Sequence, residues 1–226
     1  MTPARALAQL ESLGDAQKAQ EMAAYHKAPR RYLGVANPVL DALAKDWRNE
    51  MDVEGRVALA DALWRDGAHE ARVLAAKLLT QARLRPSDDS AWQLITSWAP
   101  GFDAWAVADH ACIAGQKRLV WAPARIADIA HWHLSDHMWT RRAALVMTLP
   151  WTKQNHPKPA DLAIREQVLG WAASYVEDHD WFIQKAVAWW LRELSKHDPD
   201  RTRAFLAQHG PKMKPFAQKE AARKLA

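Results

Sequence analysis

Two stretches of the chain carry aromatic and ionic side chains at spacings that a helix turns to one face. In FDAWAVADHACIAG, Trp105 and Asp109 stand four residues apart, so on a helix an indole and a carboxylate project from the same face one turn apart. An apolar wall beside an anion suits a cationic group, or a positive charge that develops in a transition state. In DWFIQKAVAWWLREL, Lys185, Trp189 and Arg192 fall at i, i+4 and i+7, while Trp190 turns toward the interior. A Trp with a cation above and below it suits phosphate contacts that flank a stacked sugar or base. Thirteen Trp against four Phe make such faces abundant. Each pattern also has a plainer reading: a core indole with a carboxylate at its rim, or solvated charges on a helix face.

The elements that must hold these residues are helices. The 44 Ala outnumber the 24 β-branched residues, a balance that favours helix over sheet. Start signals occur at Asn37-Pro38, Ser87, Asp103, Asp136, Asp180 and Asp198-Pro199, and stop signals at Gly14, Gly67, Gly115 and Gly210. These predict twelve or thirteen helices, with a loop over 150–161. Four segments align on an Ala: RVLAAKLL (Ala75), TRRAALVM (Ala143), IQKAVAWW (Ala186) and KEAARKL (Ala221). The unit is a helix pair or triplet of roughly 35 to 45 residues, the size of HEAT-like repeats. We therefore expect an all-α HEAT-like helical-repeat solenoid, an α-α superhelix with a concave face, as a single domain over 1–226. In the repeat alignment Arg142 takes the place of Lys185, which predicts that both face the same concave surface.

Composition narrows the partners. The chain has 226 residues, 49% hydrophobic and 25% charged, and a net charge of +5, which is compatible with a polyanion. Seven Lys or Arg lie beyond residue 200 against the single Glu220, whereas six Asp outnumber three basic residues between Pro86 and Trp139. A phosphate-holding surface around a carboxylate-bearing site fits that asymmetry. The one cysteine, Cys112, excludes an internal disulfide and is expected to be buried and inert. No run approaches the roughly 18 to 20 apolar residues that span a bilayer, and the first residues lack the pattern of a signal peptide. A cytoplasmic protein is expected, nucleoid-associated when on DNA, with no membrane partner. His131 and His133 are two residues apart and diverge on a helix, so no metal is expected there. No GxGxxG, Walker-type phosphate loop or HExxH occurs, so no nucleotide cofactor is expected.

The stretches EMAAY from Glu21, YLGVANP from Tyr32, WAVAD from Trp105, DHMWTRRAAL from Asp136 and WFIQKAVAWWLRE from Trp181 together resemble the AlkD family of DNA alkylation repair glycosylases, over nearly the whole chain. The resemblance implies HEAT-like repeats and a cleft formed by Trp105 and Asp109 on one inner helix, Arg142 on the next, Trp189 and Arg192 on a third, and Tyr25. The family pattern commonly has Asp directly after the first Trp; here that position is Ala106.

By this resemblance the protein is a DNA glycosylase that excises cationic N3- and N7-alkylated purines, of the 3-methyladenine and 7-methylguanine type, from duplex DNA. Asp109 stabilises the oxocarbenium-like sugar and positions water, while Trp105 and Trp189 hold sugar and cation by their faces. Arg142, Lys185 and Arg192 hold phosphates, and Tyr25 completes the DNA-binding cleft; apart from the resemblance, Lys219 is expected as a further phosphate contact. No cofactor is expected, and a monomer is. Two alternatives remain open at this level: a non-catalytic DNA-structure binder of the same architecture, and a HEAT-like protein-interaction scaffold.

Overall fold

Small side chains decide where the helices meet. The four aligned alanines, Ala75, Ala143, Ala186 and Ala221, are all at most 2% exposed, so the repeated motif is a packing motif that lets neighbouring helices approach closely. The computed structural model describes residues 1–225, and these form two compact units, Met1–Trp121 and Ala122–Ala226 with its last residue left aside. Every regular element among the described residues is helical.

The first unit contains α1 (Pro3–Ser12), α2 (Ala16–His26), α3 (Asn37–Glu50), α4 (Val53–Asp66), α5 (His69–Leu79), α6 (Asp89–Ser97) and α7 (Trp105–Trp121). Helix α5 is its centre, packed against α3, α4 and α7, and nine of its eleven residues are buried. The buried Glu70 ties the α2–α3 connection to it, its carboxylate accepting from the backbone N–H groups of Leu33 (2.9 Å), Gly34 (2.7 Å) and Val35 (3.2 Å). Gly34 has φ +81°, and a Cβ there would collide with the Asp15 carbonyl oxygen, so only glycine fits that turn.

The second unit contains α8 (Ile126–Ile129), α9 (Met138–Met147), α10 (Pro159–Ser174), α11 (Trp181–Leu194), α12 (Pro199–His209) and α13 (Pro215–Ala222). Here α11 is central and packs against α9, α12 and α13. Asp180 caps it, accepting from Phe182 N (2.7 Å) and Ile183 N (3.4 Å). The fully buried Gln184 is a junction: its Nε2 donates to the carbonyls of Tyr175, Val176 and Asp178, and its Oε1 accepts from Lys214 N. The segment before α11 and the start of α13 are thereby fastened to one side chain.

Helix punctuation agrees with the sequence at Asp180, at Asp198, which caps α12, and at Gly67, the left-handed cap of α4. It differs at four positions. Gly115 ends nothing: it is buried inside the 17-residue α7, where the neighbouring small residues Ala111 and Ala114 mark a packing face. Asp103 and Asp136 precede α7 and α9 by two residues without capping them; Asp103 is drawn instead into ion pairs with Arg30 and Arg72. Asn37 is the first residue of α3, after an Ala36 that makes no side-chain cap. No helix among the described residues is long and apolar enough to cross a membrane.

Candidate nucleic-acid interface and catalytic residues

Eight of the thirteen Trp are buried, and Trp105, Trp121, Trp139, Trp181 and Trp189 are not. Both tryptophans singled out by spacing are thus among the five that keep some open surface.

In the first unit Trp105 opens α7, and the helix entry is anchored by Asp103 between Arg30 and Arg72. Asp109 follows one turn later and, like Trp105, is half-buried. Around the indole stands a wall of rings. Tyr25, 69% exposed at the end of α2, meets Trp105 edge-on at 6.0 Å, and His26 lies 5.4 Å from it. Behind them His26 stacks on His69 at 4.4 Å and on Tyr32 at 6.0 Å, and Tyr32 on His69 at 5.1 Å. Burial depresses the imidazoles: His69 is lowered to about 3, with His26, Arg30 and His110 adding to the effect, and His26 is lowered by burial and then by Arg30. His110, the residue after Asp109, is lowered to about 4, again first by burial. At neutral pH this wall therefore carries no imidazolium charge, and a cation placed against Trp105 and Asp109 meets faces without positive charge from these rings.

Sequence spacing missed His26, Tyr32, His69, Arg30 and Glu70. Tyr25 and Tyr32 lie in stretches that carried the family resemblance and His26 directly follows one, but the stacking of His69 on His26 and Tyr32 requires α5 to pass by the α2–α3 connection, a long-range placement that no local pattern reports.

In the second unit Lys185, Trp189 and Arg192 line one cavity of about 480 Å³ together with Trp181, Ala188, Phe216 and Glu220. Trp190 is fully buried on the opposite side of α11. The Lys185 ammonium sits 4.5 Å from the centre of the Trp181 ring. Arg192 is ion-paired through Nη1 with Glu220, and its Nη2 is 3.3 Å from Glu193. Lys219 is exposed on α13.

Arg142 stands differently from expectation. It is 3% exposed, its Nη1 donates to the Phe182 carbonyl at 3.0 Å, and its guanidinium lies 6.0 Å from the Phe182 ring centre. Lys185 is exposed, so the two positions matched in the repeat alignment do not share a surface. The reason is that the repeat preserves the buried Ala, while the residue before it is buried Leu74 in α5, buried Arg142 in α9 and exposed Lys185 in α11. Ala106, at the position where the family commonly has Asp, is buried at 6%. Among the described residues no cluster of three or more His, Cys, Asp or Glu is arranged to hold a metal ion. Cys112 is buried.

The model of a family described as DNA alkylation repair enzyme matches residues 6–225. Among solved structures, a predicted DNA alkylation repair enzyme from Enterococcus faecalis is similar with a TM-score of 0.79 and 22% identity, covering 94% of this chain and 97% of that one. AlkD2 from Streptococcus mutans is similar with a TM-score of 0.61 and 20% identity, covering 83% of this chain and 89% of that one. At these identities the structural likeness establishes the helical-repeat fold. No protein with a curated description matches the chain in sequence.

Proposed function

The chain belongs to the family of DNA alkylation repair enzymes, and from that premise we propose that it is a DNA glycosylase acting on cationic N3- and N7-alkylated purines in duplex DNA. The observation that carries this reading is Asp109 one turn beyond Trp105, on a helix whose first ring is bordered by Tyr25 and an uncharged His26.

An N7- or N3-alkylated purine is already positively charged, so its glycosidic bond is weakened before the enzyme acts. As the bond breaks, the electron pair leaves with the base and positive charge develops on the deoxyribose. Asp109 stabilises that charge and orients the attacking water, while Trp105 presents an electron-rich face to it. Water adds to the sugar and its proton is released, leaving an abasic site and a free alkylpurine. Because the substrate arrives activated, no strong general acid is required.

In the second unit, Trp189 is a partly open aromatic face suited to a sugar or base. Lys185 and Lys219, both exposed, are the cations for backbone phosphates. Arg192 and Arg142 join them only by loosening their bonds to Glu220 and to the Phe182 carbonyl. The direct test is release of 7-methylguanine and 3-methyladenine from methylated duplex DNA by the purified protein. DNA binding without release of either base leaves a non-catalytic binder as the better reading.

A further inference from the structure

His26 touches every other ring of the wall beside Trp105. Its ring centre lies 5.0 Å from that of Tyr25, 6.0 Å from Tyr32, 4.4 Å from His69 and 5.4 Å from Trp105. The indole leans on it at 45°, while His69 and Tyr32 stack on it. The backbone fixes the root of this ring. Directly after His26, α2 ends in Lys27, whose φ of +56° is the one positive value at a non-glycine among the described residues. A left-handed turn at lysine costs energy, and such strain is kept where a side chain must be aimed.

The surroundings suit this ring only when it is uncharged. The Nδ1 atoms of His26 and His69 are buried without a hydrogen-bond partner, so a proton added there finds no acceptor. Facing His26 are Tyr25 from its own helix, Arg30 and Tyr32 from the α2–α3 connection, His69 and Glu70 from α5, and the indole of Trp105 from α7. Arg30 is paired with Asp103, Glu70 is committed to three backbone N–H groups, and His110 on α7 acts on His69. Burial first, and Arg30 after it, hold the imidazole below its usual value against the pull of Glu70.

We infer that His26 is a positioning residue for Trp105: uncharged, its ring supports the indole and leaves the aromatic face to the sugar on which positive charge develops, and protonated, it sets a like charge beside that face. The inference rests on the proposed part of Trp105 in excision. An imidazolium in contact with the indole competes for the ring's cation-attracting face and repels the charge that the face would stabilise. Excision therefore has an acidic limb that belongs to His26.

The test follows single-turnover release of 7-methylguanine from pH 7.5 to 5, with spontaneous release subtracted and far-UV circular dichroism verifying the fold at each pH. Wild-type excision is expected to fall about 2- to 30-fold toward pH 5, the range of one cation–aromatic contact. His26→Ala should lose a factor of that size already at pH 7.5. His26→Phe, a ring that takes no proton, should recover most of this loss and abolish the acidic limb, which a merely structural role of the ring does not explain. The Trp105 indole N–H resonance, assigned by its disappearance in Trp105→Phe, should move with pH in wild type and stay fixed in His26→Phe.

A flat wild-type profile overturns the inference, as does an acidic limb that persists in His26→Phe. A Trp105 resonance indifferent to pH in wild type overturns it even if excision falls. Should His26→Ala fail to fold, the wild-type and His26→Phe profiles decide. No base release at any pH, with the resonance still following His26, refutes the glycosylase reading and leaves His26 as the residue that sets Trp105.

Discussion

At Asp109 the change to Asn keeps the size and hydrogen-bonding capacity of the side chain and removes its charge. Single-turnover release of 7-methylguanine is expected to fall by about 10² to 10³, the cost of losing a preorganised charge contact to the transition state. DNA affinity should hold or rise, because on the proposed reading an anion in the DNA-binding surface has been removed. Wild-type excision by Asp109→Asn would falsify the assignment of the carboxylate. Trp105→Ala should lower both excision and selective binding of the cationic lesion, since an aromatic face serves both.

The residue scale also carries the pH dependence. His69 and His110 have folded values of about 3 and about 4 against 6.5 for the free imidazole. When both residues are neutral, above about 6.5, their contribution to stability is complete. As pH falls below that value the unfolded chain takes up protons that the folded chain refuses, so stability drops through the window from about 6.5 down toward 4. At pH 5 each group is expected to cost about 1 to 2 kcal/mol, read as a lower midpoint in urea unfolding than at pH 7.5. His69→Gln should flatten part of that slope. A midpoint independent of pH between 7.5 and 5 would refute neutral burial of the two imidazoles.

At the scale of elements, each unit is organised around one buried helix that holds its neighbours by a single polar side chain. Glu70 on α5 accepts three backbone N–H groups of the α2–α3 connection, which carries Tyr32 and leads back to Tyr25 and His26. Gln184 on α11 bonds three carbonyls and one N–H. Removing either leaves several buried polar groups unpaired at once, each worth roughly 1 to 3 kcal/mol. Gln184→Leu is therefore expected to destabilise by at least about 3 kcal/mol, and Gln184→Glu by no less, since it sets a carboxylate against three carbonyl oxygens. By contrast Asp180→Ala, the loss of one N-cap, should cost only about 1 kcal/mol. Urea unfolding of the three variants distinguishes the two classes; equal effects would mean that Gln184 is no junction.

At the scale of the whole molecule, net charge and its distribution govern association. Binding to undamaged duplex is expected to weaken steeply with salt and to be nearly independent of sequence if, as proposed, Lys185 and Lys219 meet phosphates. Lys185→Gln should reduce the slope of log K against log salt by about 0.9, whereas Arg142→Gln, which removes a buried bond to Phe182, should act first on stability. A salt slope untouched by Lys185→Gln would remove that lysine from the interface. Since the proposed chemistry uses a carboxylate, water and aromatic faces, EDTA is expected to leave excision unchanged; activity lost on chelation and restored by a divalent ion would overturn the carboxylate mechanism.

The helical class, the Ala packing motif and the face shared by Lys185, Trp189 and Arg192 were legible in the sequence, because each depends on spacing along a single helix, a geometry that the 3.6-residue period sets locally. The caps at Asp180 and Asp198 were legible for the same reason. What only the tertiary structure decided depends on partners distant in the chain. Arg142 and Lys185 occupy the same place in the repeat, but Arg142 reaches the carbonyl of Phe182, forty residues away, and is buried there. His69 becomes a neutral wall for Trp105 only because α5 brings it against His26 and Tyr32. Asp103, with the local pattern of a helix cap, is taken by Arg30 and Arg72 instead. A side chain's charge and exposure are set by what packs against it, and periodicity records which face it occupies but not what meets that face.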